Sequence, residues 1–242
     1  MPRPKLKTSL AIVLLAALAT LGVGGYFDTD PWRFQPATGG APQSRLVALF
    51  VSGDMGMRMG SGEGSVGALR ASGVPVLTVN SSALFGRPRD GAFARQVMTE
   101  ALHRALAASG AAQVAVIGTS FGADIVDSAL GQVPDALRRR IASVTLVVPG
   151  TSVFFHANPS GLAYLGTPDS DARTTVPALR GLRLTCIYGS QEPSTLCRTP
   201  QAAGMRIEAI PDGHLMLRHR ADLHAAIVRS VMAPPAQWPA AR

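Results

Sequence analysis

From residue 45 onward, short apolar runs alternate with longer stretches in which apolar residues recur every three or four positions. Runs at 46–51, 74–79, 114–117, 144–148, 184–188 and 207–210 are short and mostly rich in Val, Ile and Leu, which predicts buried strands. Segments 92–108 and 123–131 have helical spacing, and 221–232 predicts a closing helix. Nearly continuous apolar strands separated by helices predict an α/β fold, with a mostly parallel sheet covered on both faces.

Two segments break this alternation. Residues 53–65 are loaded with Gly and Met, and 150–183 form a long connection containing Pro159, Pro168 and Pro177. Connections of that length are usually functional, so the second is expected to be either a short cap over a site or a surface excursion. The run Gly60-Ser61-Gly62-Glu63-Gly64 lacks the Lys and Ser/Thr ending of a phosphate-binding loop and predicts a flexible loop.

At the other end, Arg3, Lys5 and Lys7 precede an uncharged run at 8–27, the build of a secretory signal. Ala17-Leu18-Ala19 and Gly22-Val23-Gly24 are possible cleavage points. The alternative is an uncleaved anchor, since such a run as a helix at about 1.5 Å per residue just crosses a hydrocarbon core of about 30 Å. Residues 28–44, rich in Pro, Gly and Gln, predict a linker. The expected organisation is therefore a signal peptide or N-terminal anchor at 1–27, a linker at 28–44 and one catalytic domain at 45–242. Either fate of the first segment places that domain outside the cytoplasm.

Composition narrows the function classes. With 47% apolar and 16% charged residues the chain is globular rather than disordered. The net charge is +8, of which three belong to the export segment, leaving +5 for the rest. A basic exported domain suits anionic lipid headgroups or envelope polymers. No aromatic residues interleave with the cations, so nucleic acid is not an expected partner, and Arg138-Arg139-Arg140 predicts an ordinary solvated cluster. Cys186 and Cys197 are the only cysteines. In an oxidising compartment they are expected to form a disulfide, and the competing reading is two buried thiols.

The strongest chemical signal is Gly118-Thr119-Ser120-Phe121-Gly122. It follows a predicted strand and opens a predicted helix, the context in which G-x-S-x-G lifts a nucleophilic serine at the carboxyl edge of a sheet. The glycines are needed because the turn is too sharp for side chains at those positions. The N–H of Phe121, at the helix start, is an expected oxyanion donor. A second is expected from the loop after the first domain strand, at Met55. A hydroxyl needs a base and an orienting carboxylate, found in this fold in the order Ser, acid, His. Of the five histidines, His214 stands in a turn after the last strand, and Glu192 is the only carboxylate between the preceding strand and Cys197. Asp212 is the second candidate for the acid, although its closeness to His214 favours turn capping. Asp54, Asp124 and His156 are expected at a substrate pocket. The histidines and cysteines are not spaced to converge on a metal, and no cofactor is expected.

These residues carry a resemblance to a known family. Val51-Ser52-Gly53-Asp54, Gly118 through Asp124, Cys186-Ile187-Tyr188-Gly189 through Glu192 to Leu196-Cys197, and Gly213-His214 together resemble the VirJ/AcvB family of bacterial virulence-associated periplasmic proteins. The resemblance implies an α/β-hydrolase fold, an envelope location and hydrolysis of aminoacylated phosphatidylglycerol. It implies Ser120, Glu192 and His214 as the matching triad. A different expectation is a non-catalytic adaptor that keeps the fold and meets an envelope protein partner in a secretion or virulence assembly.

Overall fold

The computed structural model describes residues 6–40 and 45–234. In chain order, α1 (Leu6–Val23) leads to strand β1 (Trp32–Gln35) and then β2 (Leu46–Val51), α2 (Gly62–Ala71) and β3 (Val76–Val79). Next come α3 (Ser81–Phe85), α4 (Gly91–Ser109), β4 (Gln113–Thr119), α5 (Phe121–Ala129), α6 (Asp135–Arg138) and β5 (Ile141–Val147). The long connection holds the two-residue strands β6 (Ser152–Val153) and β7 (Ser170–Asp171) and the single turn α7 (Ala172–Thr175). Strands β8 (Leu184–Gly189) and β9 (Arg206–Ile210) and helix α8 (Arg220–Met232) complete the domain.

Seven strands form one sheet in the order β1-β3-β2-β4-β5-β8-β9. All its neighbours are parallel except the antiparallel edge pair β1 and β3. Alternation along the strands explains the layering. Val47, Leu49 and Val51 of β2 join Val114 and Val116 of β4 in a core shared with Met98 and Leu102 of α4 and Ile125 of α5. Ala48, Phe50, Ala115 and Ile117 point the other way, into a core with Val66 and Leu69 of α2 and Leu223 and Ile227 of α8. This is the α/β-hydrolase fold expected from the alternation and the serine motif.

Two local expectations change. Residues 28–44, expected as a linker, contain β1, which pairs Trp32 with Val79 and Gln35 with Val76 along the sheet edge. It is four residues long and mostly exposed, too little for a hydrophobic period. The glycine run expected as a loop enters α2, whose first residues are Gly62, Glu63 and Gly64. A side chain at Gly64 would overlap the His224 ring of α8, at 2.4 Å from its Cε1, so close helix packing selects glycine there. The arginine cluster keeps Arg139 and Arg140 exposed, as expected of a solvated face, while Arg138 donates to the Arg180 carbonyl at 2.9 Å and Arg140 to the carbonyls of Ala111 and Ala112.

The contacts reach back before β1. Asn80 donates to the Gly25 carbonyl at 3.1 Å, and the Tyr26 hydroxyl donates to the Asp54 carbonyl at 2.6 Å. Among the described residues no helix is long and apolar enough to cross a membrane.

Candidate active site

Strand β4 ends in the turn that carries Ser120, whose backbone sits at φ 50° and ψ −124°. A non-glycine residue at positive φ is strained and persists only where its surroundings fix it. Here the Ser120 N–H donates to the Val147 carbonyl of β5 at 2.8 Å, and the serine carbonyl accepts from Ala123 and Asp124. The two motif glycines make the turn possible. A Cβ on Gly118 would lie 2.5 Å from the Gly122 carbonyl oxygen, and one on Gly122 would lie 2.3 Å from that of Ser52. Phe121 occupies the first helical position, so its N–H has no preceding carbonyl of the helix to bond.

The loops after β8 and β9 bring the other two groups to the same rim. Ser120 Oγ lies 2.8 Å from His214 Nε2, and His214 Nδ1 lies 2.6 Å from Glu192 Oε1. Glu192 is 4% exposed, and its other oxygen accepts the Gly189 N–H at 3.0 Å. The carboxylate beside it holds the His214 imidazole above the usual histidine range, against the opposing effect of burial. The three expected residues thus form one hydrogen-bonded chain.

The Glu192 loop is braced from several sides. A disulfide joins Cys186 in β8 to Cys197, with Cα atoms 5.6 Å apart. Arg198, next in sequence, donates to the Glu192 carbonyl at 2.9 Å and lies over the Tyr188 ring. Asp212 does not take the place beside His214 Nδ1, which Glu192 occupies. Its carboxylate accepts backbone N–H groups from Gly213, Arg218 and His219, at 2.8, 2.8 and 3.1 Å, and thereby shapes the loop that presents His214. Those bonds, with Gly213 first, hold its pKa below the ordinary carboxylate value.

Two hollows flank Ser120. The smaller is lined by Gly53, Asp54, Met55 and Met59 on one side and by His214, Leu215 and Met216 on the other. Met55 therefore stands beside the same hollow as Ser120, on the loop expected to supply the second oxyanion donor. The larger, about 220 Å³, is bordered by Asp54, Ser120, Phe121, Asp124, Phe154, Tyr164 and His214 among others. Asp54 accepts the Tyr164 hydroxyl at 2.7 Å through Oδ2. Burial and this carboxylate push the Tyr164 phenol well above its ordinary value. Asp124 accepts the Gly150 N–H at 2.8 Å, and burial raises its pKa to about 7.

His156 does not join the site. It borders a separate hollow of about 850 Å³ with Tyr26, Phe27, Arg87 and Arg89. The long connection contributes Phe154 and Tyr164 instead, which no periodicity singled out. Val148, at φ 47°, borders both hollows next to Ser120 and was also missed, because strain of this kind leaves no sequence signal. Among the described residues no group of acidic, histidine or cysteine side chains is arranged to hold a metal.

A parallel sheet with a serine at a strand-to-helix elbow, faced by an imidazole and a buried carboxylate from later loops, defines the α/β-hydrolase class. Within it, the chain belongs to the VirJ family of bacterial virulence proteins, whose family model matches residues 45–234. Solved structures with this fold include Est1E from Butyrivibrio proteoclasticus, at TM-score 0.57 and 12% identity over 82% of this chain and 91% of that one. An alpha-beta serine hydrolase homologue from Coxiella burnetii gives TM-score 0.56 and 16% identity over 82% and 89%. The enol-lactonase from Burkholderia xenovorans LB400 gives TM-score 0.56 and 16% identity over 81% and 94%. At these identities the likeness is one of fold. Comparison with curated protein sequences finds no match.

Proposed function

We propose that the protein is an exported serine hydrolase that cleaves an ester through an acyl-enzyme, with aminoacyl-phosphatidylglycerol, such as lysyl-phosphatidylglycerol, as its substrate. The observation that carries the chemistry is the unbroken chain from Ser120 Oγ through the His214 ring to Glu192. Ser120 Oγ attacks the ester carbonyl while His214 Nε2 takes its proton. The tetrahedral oxyanion is met by the Phe121 N–H and the positive end of α5, with the Met55 N–H as second donor. His214 returns the proton to the departing alcohol, and Glu192 stabilises the imidazolium between these transfers. Water then attacks the acyl-enzyme with His214 again as base, releasing the carboxylic acid and restoring Ser120.

The substrate and the location rest on different support. The VirJ match, the family resemblance in the serine and paired-cysteine segments, and the basic character of the chain favour an anionic lipid ester. The basic, apolar N-terminus and the disulfide favour action in the periplasm, where cystines persist. The test is labelling of the folded protein with a fluorophosphonate, followed by mapping of the adduct. Labelling at Ser120, lost in Ser120→Ala together with ester hydrolysis, is the expected result. Unlabelled Ser120 or undiminished hydrolysis in Ser120→Ala overturns the mechanism. Accumulation of an aminoacyl lipid in cells lacking the protein is expected, and an unchanged lipid profile overturns the substrate. A cellular phenotype retained by Ser120→Ala would instead favour the adaptor.

A further inference from the structure

We propose that Asp124 and Asp54 form a subsite for a primary ammonium group on the acyl part of the ester, so that the enzyme selects α-amino esters over neutral ones. The inference rests on the hydrolase reading above and assigns to two named residues the recognition of the reacting end.

The larger hollow beside Ser120 is bordered by two carboxylates, and neither Lys nor Arg lines it. This is notable in a chain with 23 Lys and Arg against 15 Asp and Glu. Asp124 is half-buried, and only one of its oxygens is engaged, by the Gly150 N–H at 2.8 Å; the other has no hydrogen bond among the described residues. Asp54 likewise gives one oxygen to Tyr164 and has no protein donor for the other among the described residues. The neighbouring Asp54 carboxylate opposes ionisation of Asp124, and among the described residues the countercharge acting on Asp124 comes from His214.

A partly desolvated carboxylate without a countercharge gains from a cationic partner. A primary ammonium is such a partner: it is small, carries three donors, and matches two carboxylate oxygens left over from different elements. The aromatic rings of Phe154 and Tyr164, with centroids 5.4 Å apart, border the same space and offer faces that attract a cation. Because Ser120 and both carboxylates share one hollow, an ammonium held there sits on the group being transferred to the serine. A neutral acyl group gives neither carboxylate a countercharge.

Paired esters of equal shape separate this inference from the general one. We would measure kcat/KM for 4-nitrophenyl L-alaninate and 4-nitrophenyl isobutyrate, each divided by its own rate of spontaneous hydrolysis. The expected normalised preference for the alaninate is about ten-fold or more, falling about ten-fold in Asp124→Asn and by less in Asp54→Asn. A preference that is absent, or that survives Asp124→Asn because both esters slow in proportion, overturns the subsite. A second measurement needs no turnover. L-alaninamide should protect Ser120 from a fluorophosphonate at lower concentration than isobutyramide, and Asp124→Asn should abolish the difference. Equal protection by the two amides in the unmodified protein overturns the subsite while leaving the hydrolase reading intact. Failure of Ser120 to label at all overturns both.

Discussion

Replacing Glu192 with Gln tests the charge chain without changing its shape. Glu192 Oε2 accepts the buried Gly189 N–H, and Oε1 faces His214 Nδ1. An amide keeps one acceptor and gains one donor group. The Gly189 N–H is fixed by the backbone and needs an acceptor, so the Gln oxygen stays with it and the NH₂ turns toward the ring. His214 Nδ1 must then accept, which places the ring proton on Nε2, pointing at Ser120 Oγ. A base already carrying a proton at the atom that should receive one cannot work. The equivalent tautomer fault in serine proteases lowers kcat by about 10⁴, equal to about 5.4 kcal/mol of barrier. A second effect concerns pH. The carboxylate is the largest cause of the raised His214 pKa, so its removal should move the acid limb of the pH profile to lower pH. Ester hydrolysis and fluorophosphonate labelling of Glu192→Gln from pH 4 to 9, with folding checked by circular dichroism, measure both. A rate within ten-fold of the unmodified protein, or an acid limb that stays in place, refutes the reasoning.

Other substitutions probe strain, cross-linking and burial. Because Ser120 sits at φ 50°, Ser120→Gly should be more stable to urea than Ser120→Ala by about 1 kcal/mol or more; equal midpoints would remove the case for strain. Opening the disulfide by Cys186→Ser with Cys197→Ser should destabilise the fold by about 3 kcal/mol in the chain-entropy model for an 11-residue separation, and also reduce hydrolysis by loosening the Glu192 loop. Unchanged melting and activity would show the loop to be held by its hydrogen bonds alone. Asp127 is buried with Oδ2 unpaired, and burial raises its pKa well above the carboxylate norm. A raised folded-state pKa means a stabilising contribution present in acid and lost as pH rises through that value. Asp127→Asn should therefore melt higher than the unmodified protein above neutrality, with the gap closing toward pH 4. A gap independent of pH would contradict this.

Most of the sheet was legible because its strands are continuous apolar runs, and each central one is buried on both faces. Ser120, Glu192 and His214 were legible for a related reason: each follows a strand, at the rim where the fold concentrates its loops. What escaped was decided by neighbours distant in sequence. Helix α2 begins with residues of low helix propensity, yet Val66 and Leu69 bury against α8 and override that preference. The aromatic stretch Phe154-Phe155-His156 offered no period from which to tell which side chain enters the site. Phe154 borders the hollow beside Ser120, and His156 turns to a different one. Tyr26 lay inside the stretch expected to be an export segment, where a hydroxyl bonded to the Asp54 carbonyl has no sequence signature.

Ser120 and His214 are 94 residues apart in the chain, and the imidazole is delivered by the loop beyond the outermost strand, β9. No fragment ending before that strand contains both partners, and an unpaired β9 leaves the serine an ordinary alcohol. On the proposed mechanism, reactivity therefore waits for β9 to pair, and a newly made chain carries no activated serine until that final strand has docked.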